Sequence, residues 1–469
     1  MDSNDLVLHL GGPHLEVVSG PNDQYLLLNV MTRDYLKVSK RGYTLLMRSC
    51  GLSVGEAIQR MTAEECFPSA QLRSFFDKIV DLGFVVTDPS RQDPTIQGGV
   101  KELWLHITDR CNLACPMCYF QSNQTSTGER CMSRDELKRA IGIITSTQPQ
   151  AVIVSGGEPL LRRDLPELLG DLKEHGQYVW LLTNGTLLTP EICRQLAKSV
   201  NRISISLDGA TAAVHDKMRG KGSFAAVLRG IRMLQVEGFD RIGIIPTIRR
   251  DNVSEIFGLD DFAKELHVSI DSRCLFAARG SAASCRDEYE ISVADLIQAA
   301  REEIRCRLRQ GYDFQQASGC SQSIVDFVQP QLQRCGAGRQ KLSIDVNGDL
   351  YPCQLLHEDR FLLGNILDFS NLNQLICEAN ARQVARFTAD RIDNVDKCRG
   401  CDVRHFCGGG CVVSNVADGL PLDQCPSYCS AMQKSYRVAV WEWRSNCSKK
   451  ENLVSLLDKL CQTETAVPG

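Results

Sequence analysis

Three cysteines at CxxxCxxC spacing, Cys111, Cys115 and Cys118, with Tyr119 directly after them, constrain this chain more than any other feature. They follow Leu103-Trp104-Leu105-His106-Ile107-Thr108, an apolar run of strand length and β-prone composition, which places the thiols on the loop leaving a strand. Three thiolates on one short loop can hold three corners of a cubane and leave the fourth iron open to a small chelating molecule. A zinc site would need a further ligand nearby to close its tetrahedron, and none follows.

One strand and one helix later, Ala151-Val152-Ile153-Val154 runs into Ser155-Gly156-Gly157-Glu158-Pro159. Together the two stretches resemble the cluster loop and GGEP motif of the radical S-adenosylmethionine (SAM) superfamily. That resemblance implies a [4Fe-4S] cluster on Cys111, Cys115 and Cys118 that binds SAM through its amine and carboxylate. It also implies that the backbone at Gly156 and Gly157, together with Glu158, meets the methionine amino group, the glycines letting the main chain come close to a ligand. A serine of the fourth barrel strand is expected against the ribose, Ser206 in preference to Ser204. Arg219, in His215-Asp216-Lys217-Met218-Arg219-Gly220, lies where a cation can pair with the methionine carboxylate. The bland alternatives are a Ser206 turned to the helices and an Arg219 paired only with Asp216. Thr183-Asn184-Gly185 reads equally as a ligand contact or a tight strand exit.

A chain of 469 residues should make about two to four domains. Its net charge of −4 gives no general affinity for nucleic acid, and its apolar runs are too short to cross a bilayer. The start, Met1-Asp2-Ser3-Asn4-Asp5, lacks the basic residues of a secretory signal. In that setting 22 cysteines point to metal clusters in a reducing compartment, and a cytoplasmic location is expected.

Residues 1–88 show no ligand cluster. Leu6–Leu10, Leu15–Val18 and Tyr25–Val30 read as strands, followed by helices over Tyr43–Cys50, Val54–Met61 with Ser53 as N-cap, and Ala70–Leu82 after Ser69; Phe84-Val85-Val86 reads as a closing strand. This winged-helix-like pattern resembles the peptide-recognition domain of ribosomal-peptide maturases, in which a leader peptide adds as a strand to a sheet edge. A simple cap on the barrel is the alternative. A DNA-binding wing is disfavoured because Lys and Arg do not cluster on the third helix.

Residues 89–100, broken by Pro94 and Gly98-Gly99, read as a linker. In the span 101–310, strands at 103–108, 151–155, 179–183, 202–207, 241–248 and 268–276 alternate with helices that start after Ser133, Asp164, Thr189 and Ser223, and with one over 253–266. The fold class is therefore α/β: a partial (β/α)6 TIM-like barrel with its site at the C-terminal strand ends. Its last part, from 277, is expected to bridge toward the next domain.

The span 311–447 carries a second cysteine constellation. Cys335 is followed by twelve residues, Gly348, four residues and Cys353, and then by Cys398-x2-Cys401-x5-Cys407-x3-Cys411 and Cys425. It resembles the SPASM iron–sulfur domain of radical SAM peptide and protein modifiers. Asp345–Cys353 reads as a hairpin turning at Asn347-Gly348. The resemblance implies one auxiliary cluster on Cys398, Cys401, Cys407 and Cys425, and another on Cys335, Cys353 and Cys411, three [4Fe-4S] clusters in all. The first auxiliary cluster takes either Cys320 or no protein residue as its fourth ligand; Cys429 is a spare beside Cys425. A zinc ribbon on Cys398 and Cys401 is the alternative. Residues 448–469 are expected to be a tail.

The resemblance implies that an electron donor of flavodoxin or ferredoxin type reduces the first cluster. Reductive SAM cleavage then gives a 5′-deoxyadenosyl radical that takes hydrogen from an unactivated C–H bond. The expected function is modification of a precursor peptide, recognised through its leader, by thioether or carbon–carbon cross-linking. The alternatives are a peptide epimerase, a sulfatase-maturase-like protein oxidase, and a non-catalytic iron–sulfur electron carrier. The maturases place Asp after the cysteine equivalent to Cys353, where this chain has Gln354. No general base is evident, since the eight histidines form no recognisable pair in the sequence.

Overall fold

The structure is a computed structural model. It describes residues 7–8, 15–29, 34–65, 67–82, 84, 100–120, 131–255, 258–271, 274–310, 336–338, 340–372, 392, 395–442, 444 and 447–462. Cys320, Cys335, most of the 89–100 linker and Val85-Val86 lie outside these residues.

The N-terminal unit is an antiparallel meander, β1 (Leu15–Ser19), β2 (Gln24–Asn29) and β3 (Asp34–Ser39), followed by α1 (Lys40–Ser49), α2 (Val54–Glu65) and α3 (Ser69–Asp81). The three helices are as expected, but the strands differ at two of the expected places. Leu6–Leu10 contributes only an isolated bridge from Val7 to Ser53, and β3 takes the third place. Phe84 lies in no strand. Ser39 caps α1, accepting from Gly42 N, so the basic turn at Lys40-Arg41 is the helix's first turn rather than its approach. Ser53 and Glu56 cap α2 reciprocally, whereas α3 starts at Ser69 after Pro68 without a side-chain cap.

The barrel strands are β4 (Glu102–His106), β5 (Ala151–Ser155), β6 (Val179–Thr183), β7 (Arg202–Ser206), β8 (Ile242–Ile245), β9 (Thr247–Ile248), β10 (Ser269–Ile270) and β11 (Cys274–Leu275). Six of them, β4 to β8 and β10, are parallel and adjacent in order, the partial barrel expected. The last two expected strands are each broken. Pro246 has no N–H to extend the β8 ladder, and β9 and β11 instead pair with each other as a separate ribbon. The helices are α4 (Arg134–Thr147), α5 (Leu165–Glu174), α6 (Pro190–Ser199), α7 (Ala212–Arg219), α8 (Ser223–Val236) and α9 (Gly258–Glu265). Ser133 with Glu136 forms a complete capping box on α4, and Thr189 caps α6. Ser223 is not a cap: it is the first residue of α8, and Asp216 accepts from Gly222 N, Ser223 Oγ and Phe224 N in its place.

Leu103, Leu105, Val152, Val154, Leu181, Ile203 and Ile205 face the helices in the main core. By strand alternation Trp104, His106, Ser155, Ser204 and Ser206 face the lumen. After α10 (Arg286–Tyr289) and α11 (Val293–Gln310) the chain returns as β12 (Lys341–Ile344), which pairs parallel to β4. β13 (Asp349–Tyr351) and β14 (Gly364–Asn365) then extend the same sheet antiparallel. The hairpin turns as expected, with Gly348 at φ 90° and the Asp345 carboxylate accepting from Asn347 N and Asp349 N. Its place in the sheet was not foreseen: it continues the barrel and carries Cys353 to the side of the first cysteine loop. Helices α12 (Asp396–Arg399), α13 (Arg404–Cys407), α14 (Val412–Ala417), α15 (Cys429–Glu442) and α16 (Lys449–Gln462) follow. The expected tail is in fact helical in α16, which packs on α11 and α15 with Asn452 buried and bonded to Arg444 at both N and O.

Candidate active site

Cys111, Cys115 and Cys118 leave β4 together, each partly buried. Leu113 N donates to Cys111 Sγ at 3.4 Å, and Cys118 N to Cys115 O at 3.1 Å, which curls the loop that carries the three thiols. Burial pushes the Cys111 thiol up to about 11, and raises Cys115 against the opposing pull of Arg219. Thiols held this way become thiolates when a cationic cluster takes them, so the donor set fits an iron–sulfur centre.

The GGEP stretch closes on the chain itself. Gly157 N donates to Thr108 O at 2.7 Å and Glu158 N to Arg110 O at 2.8 Å. A Cβ at Gly157 would stand 2.1 Å from Arg110 O, and one at Gly156, whose φ is 136°, 2.4 Å from Thr108 O. The glycines are thus demanded first by main-chain contact with the cysteine loop, where the sequence pointed to a ligand. Glu158 is likewise committed. Its fully buried carboxylate accepts from Thr183 Oγ1 at 2.7 Å, Asn184 N at 2.7 Å and Leu160 N at 3.1 Å. Burial raises its pKa against these three donors. Thr183-Asn184-Gly185 is therefore tied to Glu158 on one side, and through Asn184 Nδ2 to Asn112 Oδ1 at 2.9 Å on the other. Both motifs brace the loop that carries Cys111.

Ser206 faces the lumen at the end of β7, not the helices. Ser204, on the same face, is buried and bonded to Trp180 Nε1 at 2.7 Å and to Asp271. Arg219 does not pair with Asp216, which caps α8. Its Nε donates to Asp208 Oδ2 at 2.7 Å, and the guanidinium acts on Cys115 and Cys118. Asp208 is wholly buried, accepts Thr247 N at 2.8 Å, and has Arg249 Nη1 at 3.9 Å. Burial alone would raise this carboxyl; Arg219 and Arg249 outweigh it and hold it below the usual carboxylate range. Arg249, also fully buried, reaches Met117 Sδ at 3.5 Å and Asp251 at 2.9 Å. Nothing in the spacing marked Arg249 as part of this site; only a buried arginine behind the loop reveals it.

The structure also brings together a pair of histidines that the sequence did not show. His106 and His357 meet edge to face at 5.1 Å, with Phe120 stacked on His106 at 4.5 Å and Tyr351 on His357 at 4.6 Å. Both ring nitrogens of His106 lack a hydrogen-bond partner, while His357 Nε2 meets Ser343 Oγ at 2.8 Å. Burial lowers both imidazoles, His106 well below its usual value with His357 adding to the effect, and His357 to about 4. They are held neutral. Beside them the Tyr119 phenol bonds Ser155 and feels the thiols of Cys118, Cys274 and Cys353. Cys353 and Cys411 border one apolar cluster with Tyr351 and Phe361.

The third group of thiols lines one pocket, formed by Cys398, Cys401, Cys407, Cys425 and Cys429 with Lys397 and Tyr428. Cys398 and Cys425 stand 3.8 Å apart, and burial pushes Cys407 up to about 11. The four expected ligands are together here, and the spare Cys429 joins them.

A barrel with a cysteine loop after its first strand, extended by a cysteine-rich hairpin domain, defines a class, and comparison with known proteins agrees. Residues 105–263 match the radical SAM superfamily, and residues 335–402 match the SPASM iron–sulfur cluster-binding domain. The mycofactocin maturase of Mycobacterium ulcerans is 32% identical over 328 residues, covering 68% of this chain and 84% of that protein. The subtilosin biosynthesis protein AlbA of Bacillus subtilis is 26% identical over 415 residues, covering 82% and 87%. Among solved structures, Streptococcus suis SuiB bound to its precursor peptide SuiA superposes with a TM-score of 0.57 at 15% identity, over 88% of this chain and all of that one (100%). AdoMet-bound anSMEcpe gives 0.59 at 16% identity, over 76% and 99%. The chain belongs to the radical SAM enzymes that carry a SPASM domain. These domains imply SAM and iron–sulfur clusters as its cofactors. No described helix is long and apolar enough to cross a membrane.

Proposed function

We propose that this enzyme modifies a ribosomally made precursor peptide and joins two of its side chains by a thioether or carbon–carbon bond. The observation that carries the reading is the pairing of β12 with β4, which joins the hairpin leading to Cys353 to the strand leading to Cys111, Cys115 and Cys118. On this reading the radical-generating loop and the first auxiliary site serve one substrate. When held by these residues, SAM and a reduced cluster would supply the hydrogen-abstracting chemistry, and auxiliary clusters would supply a route for the electron left on the substrate.

The chain's own residues do the rest. Cys111, Cys115 and Cys118 hold three irons; the main chain at Gly156 and Gly157 presents the methionine amino group with Glu158 fixing that turn, Ser206 meets the ribose, and Arg219 faces the methionine carboxylate. Cys398, Cys401, Cys407 and Cys425 hold one auxiliary cluster, and Cys335, Cys353 and Cys411 the other, giving three in all. A leader peptide adds to an outer edge of the β1–β2–β3 sheet, and a flavodoxin or ferredoxin supplies the reducing electron. By their names one relative is a maturase of mycofactocin and AlbA serves the biosynthesis of the bacteriocin subtilosin, and SuiB is seen bound to a precursor peptide, which supports the substrate class. Gln354, whose Oε1 accepts from Cys353 Sγ at 3.2 Å, stands where a carboxylate base would serve a sulfatase maturase, and disfavours that alternative.

The first auxiliary cluster has Cys320 or no protein residue as its fourth ligand. An open iron binds and acidifies a substrate thiol, which favours sulfur–carbon bond formation. Adding a cysteine-bearing substrate peptide to the anaerobic holoenzyme should therefore change the spectrum of that cluster, while Cys320→Ser leaves it unchanged. A spectrum indifferent to the peptide would remove the case for thioether chemistry.

A further inference from the structure

The N-terminal unit does not stand apart from the clusters. Leu26, Leu27 and Leu28 are three consecutive, fully buried leucines on the middle strand of a three-stranded sheet. Alternation sends them to opposite faces. Leu27 packs with Leu45, Leu46, Ile58 and Phe76 under the unit's own helices. Leu26 and Leu28 pack with Val403, Phe406, Tyr436, Val440 and Trp441 of the SPASM domain.

The contact falls on the five residues between Cys401 and Cys407. Asp402 is held within the domain, accepting from Arg437 Nε at 2.8 Å and Trp441 Nε1 at 3.1 Å. The next four residues are held by the N-terminal sheet. Val403 and Phe406 enter the apolar contact, with Tyr35 edge-on to Phe406 at 5.3 Å. Arg404 and His405 converge on one carboxylate oxygen of Glu16 on β1, His405 Nε2 at 2.6 Å and the Arg404 guanidinium closer still. Elsewhere Lys37 Nζ donates to Trp441 O at 2.8 Å, and a Cβ at Gly20 would strike the Trp441 ring at 2.2 Å. Docking this tight, by packing and by ion pairing, fixes where the Cys401 and Cys407 thiols point.

We infer that the N-terminal sheet is a structural buttress behind the second auxiliary-cluster site, with Glu16 as the positioning residue for the Cys401–Cys407 loop. The inference rests on the reading that Cys398, Cys401, Cys407 and Cys425 ligate that cluster. It gives the N-terminal unit a role in cluster assembly, separate from any binding of a leader.

The test uses the full-length holoenzyme, reconstituted anaerobically, with iron and sulfide content and a redox titration of each cluster as readouts. Glu16→Ala should lose the second auxiliary cluster, about four irons per chain, and keep the spectral response of the Cys111 cluster to SAM. Glu16→Gln, which keeps an acceptor and the packing, should retain the iron. Glu64→Ala, which breaks only the exposed pairs of Glu64 with Arg48 and Arg60 in the same unit, should match wild type. Wild-type iron content and wild-type potentials in Glu16→Ala would overturn the inference. A loss of iron in Cys398→Ala alongside no loss in Glu16→Ala would overturn it alone. No loss in Cys398→Ala would overturn the ligand reading together with it.

Discussion

Alanine at Cys111, Cys115 and Cys118 together is expected to abolish SAM cleavage, with 5′-deoxyadenosine falling to background under reduction, and to leave the auxiliary irons bound. The three thiols are partly exposed on a loop outside the main core, so the barrel keeps its packing without them. The described auxiliary thiols sit on other elements, after β13 and from α12 to α15. Product formation by the triple variant would mean that the radical is generated elsewhere. A loss of all iron would mean that the two sets of sites assemble as one.

The second large effect is expected at Asp208. Its buried carboxylate faces two guanidiniums, and removing its charge deprives Arg219 of the carboxylate it is bonded to and leaves Arg249 with Asp251 alone. Asp208→Asn should destabilise the protein by about 3–5 kcal/mol, read as a lower urea midpoint of the holoenzyme. The pH dependence has a definite sign. Because the folded-state pKa is held below the unfolded value, the stabilisation is fully present above about 3.9 and is lost as pH falls through the folded value. The gap between wild type and variant should therefore be wide near neutrality and close in acid. A constant gap across that range would show that the carboxylate is not the source.

Most of the barrel was legible because its strands and helices carry their own signals. The helix starts at Ser133 and Thr189 are written in adjacent residues, and the parallel strands are short apolar runs bounded by caps and turns. Asp216 shows the limit. It caps α8 from the end of the preceding helix, so the hydroxyl at Ser223 looked like the cap and was not. Cysteine spacing located the cluster loops but said nothing of what holds them. The Leu26–Leu28 run announced a strand, yet its two-sided burial depends on Val403 and Phe406, far along the chain. The same separation hid the His106–His357 pair, which exists only because β12 adds to β4 and brings Ser343 and its partner His357 beside the lumen. GGEP was read as a ligand contact. Its glycines and carboxylate are also engaged by the chain, a use that requires Thr108, Arg110 and Thr183 in place to be seen.

The most direct measurement is the mass of the precursor peptide after anaerobic turnover with SAM and reductant in deuterated water. Cross-linking removes two hydrogens per event, so the account predicts a product lighter by about 2 Da for each bond formed, with one 5′-deoxyadenosine per event. A product with no hydrogens lost, heavier by about 1 Da per event from carbon-bound solvent deuterium, would indicate epimerisation and contradict the account.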